Sequence, residues 1–253
     1  MKVFTLITCF LLLSTGVIFG QKIKEKDRTN FEILSNQKDS AALELALFNK
    51  DYDAAAVLSY RLLVNDEKNI KSLYKLAEIH FSGKKFNLAI NSCRNIITLD
   101  SLNVKAFKLA ARSFINLKQG ESAAGVYQLM YSRFNEVNYL YEKAIVQFNN
   151  KQNKESLSTL SAILSDTTSL TKTIEITNKN ENNKVTKQNI PIEAAAYNVA
   201  GYILLQEKNY KLAKVQFEAS IKISPEFIFA NNNLRKVLTL EAEPKTPDAG
   251  KTK

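Results

Sequence analysis

The sequence carries a repeat of 34 residues. Tyr52, Phe86, Gly120 and Lys154 follow one another at this interval, and each is predicted to open the second helix of a two-helix unit. After an insertion of 22 residues, the same position returns at Tyr210. This period is typical of helix-turn-helix units, which stack because none can bury its apolar face alone. The repeat therefore predicts an all-α architecture and favours a binding scaffold over a catalyst.

The last repeat shows the residue pattern of the unit most clearly. Small residues stand where two helices would cross closely, and larger side chains stand where the space between them is filled. Pro225 ends the second helix, because its ring and its missing N–H cannot continue one. The pattern closely resembles the tetratricopeptide repeat (TPR) consensus. The positions that carry the resemblance are Tyr197, Ala200, Gly201, Leu204, Tyr210, Ala213, Phe217 and Pro225.

This resemblance implies an all-α TPR solenoid of helix-turn-helix units, with about five repeats and a capping helix. The other repeats keep the phase but carry fewer consensus residues. The predicted repeats span residues 36–69, 70–103, 104–137, 138–171 and 194–227, and the capping helix spans 226–241, so the solenoid covers 36–241.

An insertion at residues 167–190 interrupts the helical pattern. Residues 171–177 alternate polar and β-branched apolar side chains with a period of two, and an Asn-rich stretch follows at 178–183. A weaker second strand pattern covers 184–190. These features predict a small β-hairpin; a disordered loop is the alternative. An inserted feature in a regular array is a candidate for contact with a partner.

The two ends of the chain lie outside the repeat pattern. Lys2 precedes an apolar stretch at residues 3–13, and small residues follow at Gly16 and Gly20. This is the plan of a secretory signal peptide, predicted at residues 1–20; an uncleaved membrane anchor is the alternative. The remaining segments are a predicted flexible lead-in at 21–35 and a predicted disordered tail at 242–253.

Composition bears on where the protein is found. None of the 25 asparagines lies in an Asn-x-Ser/Thr acceptor site, and 29 lysines stand against 6 arginines. The first observation argues against a glycosylating secretory pathway. The excess of lysine over arginine, with the many asparagines, is typical of an AT-rich genome. Together with the signal peptide, these two observations favour an exported bacterial TPR protein in the periplasm. Extracellular or membrane-anchored locations are the alternatives, with membrane association only through the N-terminal segment or a partner.

Signatures of catalysis are missing from the sequence. There is no phosphate-binding loop, dinucleotide-binding turn, nucleophile elbow or paired-cysteine zinc spacing. His80 is the single histidine, so a histidine-based triad or multi-histidine metal site cannot form within the chain. Cys93 falls at a core position of its repeat, where a buried small apolar side chain is expected. We therefore predict no enzyme activity, no cofactor and no metal.

A basic stripe on one predicted helix is the main candidate for binding. The chain has a net charge of +10, and the TPR resemblance places the first helix of each repeat on a concave face. Lys105, Lys108 and Arg112 then form a cationic stripe suited to an acidic peptide, unless it is an ordinary solvated helix face. The predicted groove residues are Lys71, Tyr74, Glu78, Lys105, Lys108, Arg112, Tyr139, Glu142, Asn198 and Tyr202, and Ala195 falls at the same spacing.

These features together predict a non-catalytic protein–protein interaction scaffold. It would bind a peptide or a partner subunit in the concave groove, as an adaptor in a bacterial cell-envelope assembly. The partner is a protein or peptide, with acidic character favoured by the basic stripe, and export argues against nucleic acid. One alternative is a self-assembling structural protein that pairs through stack ends or hairpin edges. Another is a membrane-anchored scaffold with an uncleaved N-terminal helix. The sequence leaves the oligomeric state open.

Overall fold

The computed structural model describes residues 33–64, 66–179 and 185–242. The predicted signal peptide at 1–20, most of the lead-in and nearly all of the tail lie outside these residues. The chain divides into two compact units, one ending at Asp100 and the other starting at Ser101. Each unit consists of helical hairpins.

The first unit holds two helical hairpins. Helix α1 covers residues 33–48, and residues 33–35, predicted as part of the lead-in, are already helical. Side chains of Asp51 and Asn69 cap the helices that follow them by accepting hydrogen bonds from backbone N–H groups three residues later. The remaining helices are α2 (Tyr52–Leu63), α3 (Ile70–Ser82) and α4 (Phe86–Leu99).

The second unit continues with helical hairpins and contains the insertion. Its helices before the insertion are α5 (Val104–Asn116), α6 (Gly120–Phe134), α7 (Asn138–Asn149) and α8 (Asn153–Ser165). A 3-10 helix at Thr167–Thr171 leads into strands β1 (Thr173–Lys179) and β2 (Val185–Pro191). After the insertion come α9 (Ile192–Gln206), α10 (Tyr210–Ile223) and α11 (Ile228–Ala242).

The turn inside each hairpin has the same backbone conformation in all five repeats. A lysine there adopts a left-handed conformation, with φ between 57° and 60°. Glycine adopts this region readily, whereas a side chain with a Cβ atom is disfavoured in it. The residue reverses the chain between the first and second helices. These lysines are Lys50, Lys84, Lys118, Lys151 and Lys208.

The fourth repeat departs from the predicted phase by one residue. Helix α8 begins at Asn153 instead of Lys154, and the buried small residue near its start is Ser156, 33 residues after Ala123. The shift arises between α6 and α7. Asn135 ends α6 in a left-handed conformation, and the N–H groups of Tyr139 and Leu140 bond to carbonyls only three residues back. This tight first turn shortens the connection, and the insertion is one residue longer to compensate.

The insertion forms the predicted β-hairpin. Strands β1 and β2 pair antiparallel, from Thr173 opposite Pro191 to Lys179 opposite Val185. Ile174 and Ile176 pack against a buried cluster that includes Ile190 and Phe227, while the alternate side chains of β1 are exposed. This period-two alternation explains the sequence pattern. The predicted fold class, an all-α TPR solenoid with a capping helix and a small hairpin, is confirmed.

Candidate functional site

A cavity of about 380 Å³ lies in the second unit, between the first helices of two repeats and the hairpin. Its volume falls within the range of roughly 300–1,000 Å³ that is usual for ligand-binding clefts. Residues from α5, α6, α7 and β1 contribute to it. The lining residues are Lys108, Arg112, Tyr127, Asn138, Tyr139, Glu142, Thr173, Ile174 and Glu175.

Four of the predicted groove residues lie together in this cavity. Lys108 and Arg112 are one helical turn apart, so their exposed side chains share one face of α5. Tyr139 and Glu142 come from α7 on the facing side. Lys105 is exposed on the same helix as the two cations but does not line the cavity. The arrangement places positive charge and an aromatic ring in one cavity.

Glu142 is the carboxylate that faces these cations. Its side chain touches solvent but stands in a concave wall, and the surrounding protein raises its pKa by disfavouring the charged form, while Lys108 opposes this shift. Tyr127 lies buried beside it, and its pKa is raised to about 12, mainly by burial and further by Glu142. The Tyr127 hydroxyl therefore stays protonated at neutral pH.

Asn138 connects the helical wall of the cavity to the hairpin. Its Nδ2 donates a hydrogen bond to the carbonyl oxygen of Thr173 at 3.4 Å. Its Oδ1 is shielded from water and has no hydrogen-bond partner among the described residues. A buried, unpaired acceptor costs free energy unless a ligand or water satisfies it. Asn138 thus presents an unused acceptor at the junction of α7 and β1.

The hairpin is held in place from both sides. Lys172 Nζ lies 3.2 Å from Glu136 Oε2, which fixes the approach to β1 near α7. On β2, Gln188 donates to the carbonyl oxygen of Glu226 at 2.6 Å and accepts from the N–H of Ile228 at 3.2 Å. The Gln188 amide therefore clamps the backbone at the start of α11. These contacts make β1 a positioned wall of the cavity.

The other predicted groove residues lie elsewhere. Lys71 and Glu78 are exposed on α3 and Tyr74 is half-buried there, all in the first unit. In the second unit, Asn198 accepts a hydrogen bond from Asn233 of α11 at 2.9 Å. Tyr202 packs edge-to-face on Phe148, with ring centroids 5.7 Å apart.

The expectation for Ala195 is wrong. Its side chain is fully buried, because the hairpin packs over this part of α9 through Ile174, Ile176 and Ile190. Helical spacing gives no information about an inserted element that covers this face of α9.

Sequence reasoning did not single out several residues that line the cavity. Tyr127 occupies a repeated core position of a second helix, so its pattern is that of packing alone. Asn138 precedes the predicted α7 groove positions by one residue, a difference that follows from the phase shift in this repeat. Thr173, Ile174 and Glu175 were visible only as part of the insertion, which the sequence did mark as a candidate contact element.

The histidine and the described cysteine lie outside the cavity. His80 is buried in the first unit, with its Nε2 3.0 Å from the Tyr60 hydroxyl oxygen. Burial, helped by Lys85, lowers the pKa of His80. Cys93 is fully buried, and burial raises the pKa of its thiol to about 12. No cluster of three or more His, Cys, Asp or Glu side chains suited to a metal occurs within 33–64, 66–179 and 185–242.

The described helices also bear on membrane crossing. None of the helices that the structure describes combines the length and the apolar character needed to span a bilayer.

Two family models match parts of the chain. Residues 49–129 match the model described as anaphase-promoting complex, cyclosome, subunit 3, and residues 194–227 match the tetratricopeptide repeat model. The second match covers the repeat whose pattern is clearest in the sequence. The comparison with curated proteins found no match.

The comparison with solved structures found similar chains at low sequence identity. The Naa15/Naa10 complex bound to HypK-THB is 14% identical with a TM-score of 0.54, covering 88% of this chain and 31% of that one. YrrB, titled a TPR protein with an unusual peptide-binding site, is 14% identical with a TM-score of 0.48, covering 76% of this chain and 88% of that one. MamA from Desulfovibrio magneticus RS-1 is 11% identical with a TM-score of 0.49, covering 77% of this chain and 97% of that one.

At this identity the Naa15/Naa10 likeness speaks to the fold alone. TPR folds are typically non-catalytic interaction scaffolds. Residues 194–227 therefore match a tetratricopeptide repeat, and the described helical hairpins share their fold with the Naa15/Naa10 structure.

Proposed function

We propose that this protein is a non-catalytic scaffold that binds an acidic peptide segment of a partner in the cavity between α5, α7 and β1. TPR proteins generally mediate protein–protein interactions and bind peptides. The observation that carries the proposal is the placement of Lys108 and Arg112 opposite the hairpin, in one cavity with Tyr139. Cations suited to carboxylates and a flat aromatic surface are typical of peptide recognition.

The position of the hairpin supports binding at this cavity over binding further along the unit. Ile174 and Ile176 pack in a cluster with Ala195 of α9 and Phe229 of α11. The hairpin therefore already covers part of the helical surface beyond α7. The exposed side chains of Lys108 and Arg112, on α5, lie outside this covered region.

We further propose that the scaffold is exported and acts as an adaptor in a bacterial cell-envelope assembly. This rests on the signal-peptide pattern of residues 1–20 and on the lysine-rich composition. Mass spectrometry of the native N-terminus tests export directly. A mature chain that starts near residue 21 is expected, and an intact Met1 on the native protein would contradict it.

The groove is tested by crosslinked capture from native cells. Wild type is compared with Lys108→Glu/Arg112→Glu and with a control, Lys154→Glu/Lys211→Glu, which makes the same change in charge at exposed positions outside the cavity. We expect wild type and control to capture the same protein and the cavity variant to lose it. Equal capture by all three would show that the basic stripe is only a solvated helix face.

A further inference from the structure

Strand β1 has one edge that is not used in the sheet. Within the described residues the sheet has two strands, and β1 pairs with β2 along one side only. An unpaired strand edge presents N–H and C=O groups that can pair with another extended chain. The question is which groups of β1 point to that edge.

The pairing pattern identifies these groups. Ile192 N–H donates to the Lys172 carbonyl oxygen at 2.9 Å, and these residues lie one step beyond the pair Thr173–Pro191. Hydrogen-bonded and non-hydrogen-bonded pairs alternate in an antiparallel ladder. Thr173 and Glu175 therefore belong to non-hydrogen-bonded pairs and direct their backbone groups away from β2.

Two observations agree with this assignment. The Thr173 carbonyl oxygen accepts from Asn138 Nδ2, which lies on α7 and not on β2. Pro191, opposite Thr173, has no N–H to donate. Proline is tolerated at this position because its missing N–H would point to the outer edge of β2, away from β1. The outward groups of Thr173 and Glu175 thus lie on the side of β1 nearer α7.

This free edge borders the cavity. Thr173 and Glu175 line it together with Lys108 and Arg112. Asn138, whose Nδ2 donates to the Thr173 carbonyl oxygen, marks the place where this edge meets α7. The site therefore combines a strand edge and two cations.

The charged side chains around the cavity determine which kind of peptide would bind there. Glu136 and Glu175 are each engaged in an ion pair, with Lys172 at 3.2 Å and with Lys187 at 2.8 Å. Glu142 is then the carboxylate facing the cations of α5, and its pKa is raised by the surrounding protein despite Lys108. A ligand with a carboxylate near Lys108 and Arg112 complements this balance.

We propose that an extended acidic peptide binds as a third strand on the free edge of β1, with its carboxylate groups directed at Lys108 and Arg112. This rests on the proposed function and adds how the partner is held. The Thr173 carbonyl oxygen is already bonded to Asn138, so backbone hydrogen bonds to the N–H of Thr173 and to the N–H and C=O of Glu175 supply affinity. The cations of α5 select acidic side chains. The hairpin then acts as a binding element, not only as a cover on the helices.

The test begins with a random decapeptide library displayed on phage, panned against the purified full chain. The tightest-binding peptide whose affinity depends on Lys108 and Arg112 is then synthesised as a series. Each member of the series carries one N-methyl group, placed at a successive amide. Strand addition predicts a period of two. Methylation at alternate amides should weaken binding at least about tenfold, because it removes a hydrogen bond and introduces a clash, while the intervening positions change little. Binding through side chains alone would show no alternation and would overturn the proposal.

Variants of β1 provide an independent measurement. Glu175→Pro removes the outward N–H without taking a bond from the β1–β2 ladder, and Glu175→Ala is its control because both lose the ion pair with Lys187. We expect the proline variant to lose binding at least about tenfold more than the alanine variant. Equal affinity of the two would contradict strand addition. The N-methyl series leaves the protein unchanged, so it decides the question if the proline distorts the strand.

The outcomes separate this inference from the function beneath it. If no library peptide depends on Lys108 and Arg112, the proposed function fails. If peptides depend on these cations but show no alternation, the function stands and strand addition fails. If the free edge is instead occupied by a second copy, sizing chromatography will show a dimer that Glu175→Pro disrupts and that no library peptide displaces. That result would also overturn the proposal.

Discussion

Ser156 donates a hydrogen bond from its hydroxyl to the carbonyl oxygen of Ala144, at an Oγ–O distance of 2.8 Å and fully buried from solvent. The equivalent position in the other repeats carries alanine, as in Ala89 and Ala123. The extra oxygen of Ser156 is accommodated in the buried contact of the fourth repeat because a main-chain acceptor satisfies it.

Substitution of Ser156 tests the one-residue phase shift. Ser156→Ala should lower the free energy of unfolding by only about 1 kcal/mol, since the Ala144 carbonyl keeps its helical hydrogen bond. Ser156→Leu should cost about 1–3 kcal/mol or more, because the added carbons have no space. Urea denaturation measures both. Ser158→Leu, at an exposed position of the same helix, is the control and should change little. If Ser156→Leu were as stable as wild type, the one-residue shift in the fourth repeat would be refuted.

Two glycines in helices should respond to alanine with opposite signs. A Cβ atom on Gly201 would lie 2.7 Å from Phe217 Cε1, whereas one on Gly125 would meet no atom within 4 Å. Gly201→Ala should lower the melting temperature, because overpacking costs about 1–3 kcal/mol and exceeds the gain in helix propensity of about 1 kcal/mol. Gly125→Ala should raise it through that gain alone. A higher melting temperature for Gly201→Ala would show that α9 and α10 are not in close contact at this point.

The all-helical repeat architecture was predictable because the period and the apolar spacing are properties of the sequence itself. Tyr52, Phe86, Gly120 and Tyr210 each begin a second helix, as the repeat predicts. The start of α8 was not predictable. It depends on the tight turn after Asn135, which shifts the phase of the repeat by one residue. The spacing of apolar residues in the sequence does not reveal this turn.

Removal of the Gln188 side chain should loosen both the hairpin and α11. Gln188→Ala loses the bonds to the Glu226 carbonyl oxygen and to the Ile228 N–H, each contributing about 1 kcal/mol. Hydrogen exchange at the start of α11 should accelerate about tenfold. Asn189→Ala, which changes the exposed neighbouring side chain, should leave exchange unchanged. Equal exchange in the two variants would show that the apolar cluster alone holds the hairpin.

The thiol of Cys93 should be unreactive in the folded protein. Burial raises its pKa from 9.0 to about 12, so very little thiolate forms at pH 8. Iodoacetamide should label Cys93 only after denaturation, as shown by mapping the labelled peptide by mass spectrometry. Rapid labelling of the native protein would contradict the burial.

The raised pKa of Cys93 also determines how the free energy of unfolding depends on pH. A thiol whose pKa is higher in the folded state favours folding only while it stays protonated. The penalty for ionisation begins above the unfolded pKa of 9.0 and grows as the pH rises towards 12. Wild type should therefore lose stability over this window relative to its own value at pH 8, and Cys93→Ala should lose less. Parallel alkaline profiles of the two proteins would argue against this mechanism.

The candidate site was predictable only in part. Helical spacing in the sequence placed Lys108 and Arg112 on one face, and the structure finds both in the cavity. The wall formed by Thr173 and Glu175 could not be derived, because the docking of the hairpin depends on contacts between distant parts of the chain. The burial of Ala195 by the hairpin has the same origin.

The lysines in the turns of the five helical hairpins make the folded protein less stable than it would be with glycine or asparagine there. Each occupies a left-handed conformation that costs a residue with a Cβ atom roughly 1–2 kcal/mol. Glycine or asparagine at these five turns would remove much of this cost without touching a core residue or a residue that lines the cavity between α5, α7 and β1. Natural selection on this chain has not maximised thermal resistance at these turns. A thermostabilised version for crystallography or interaction screening could be made from turn substitutions alone.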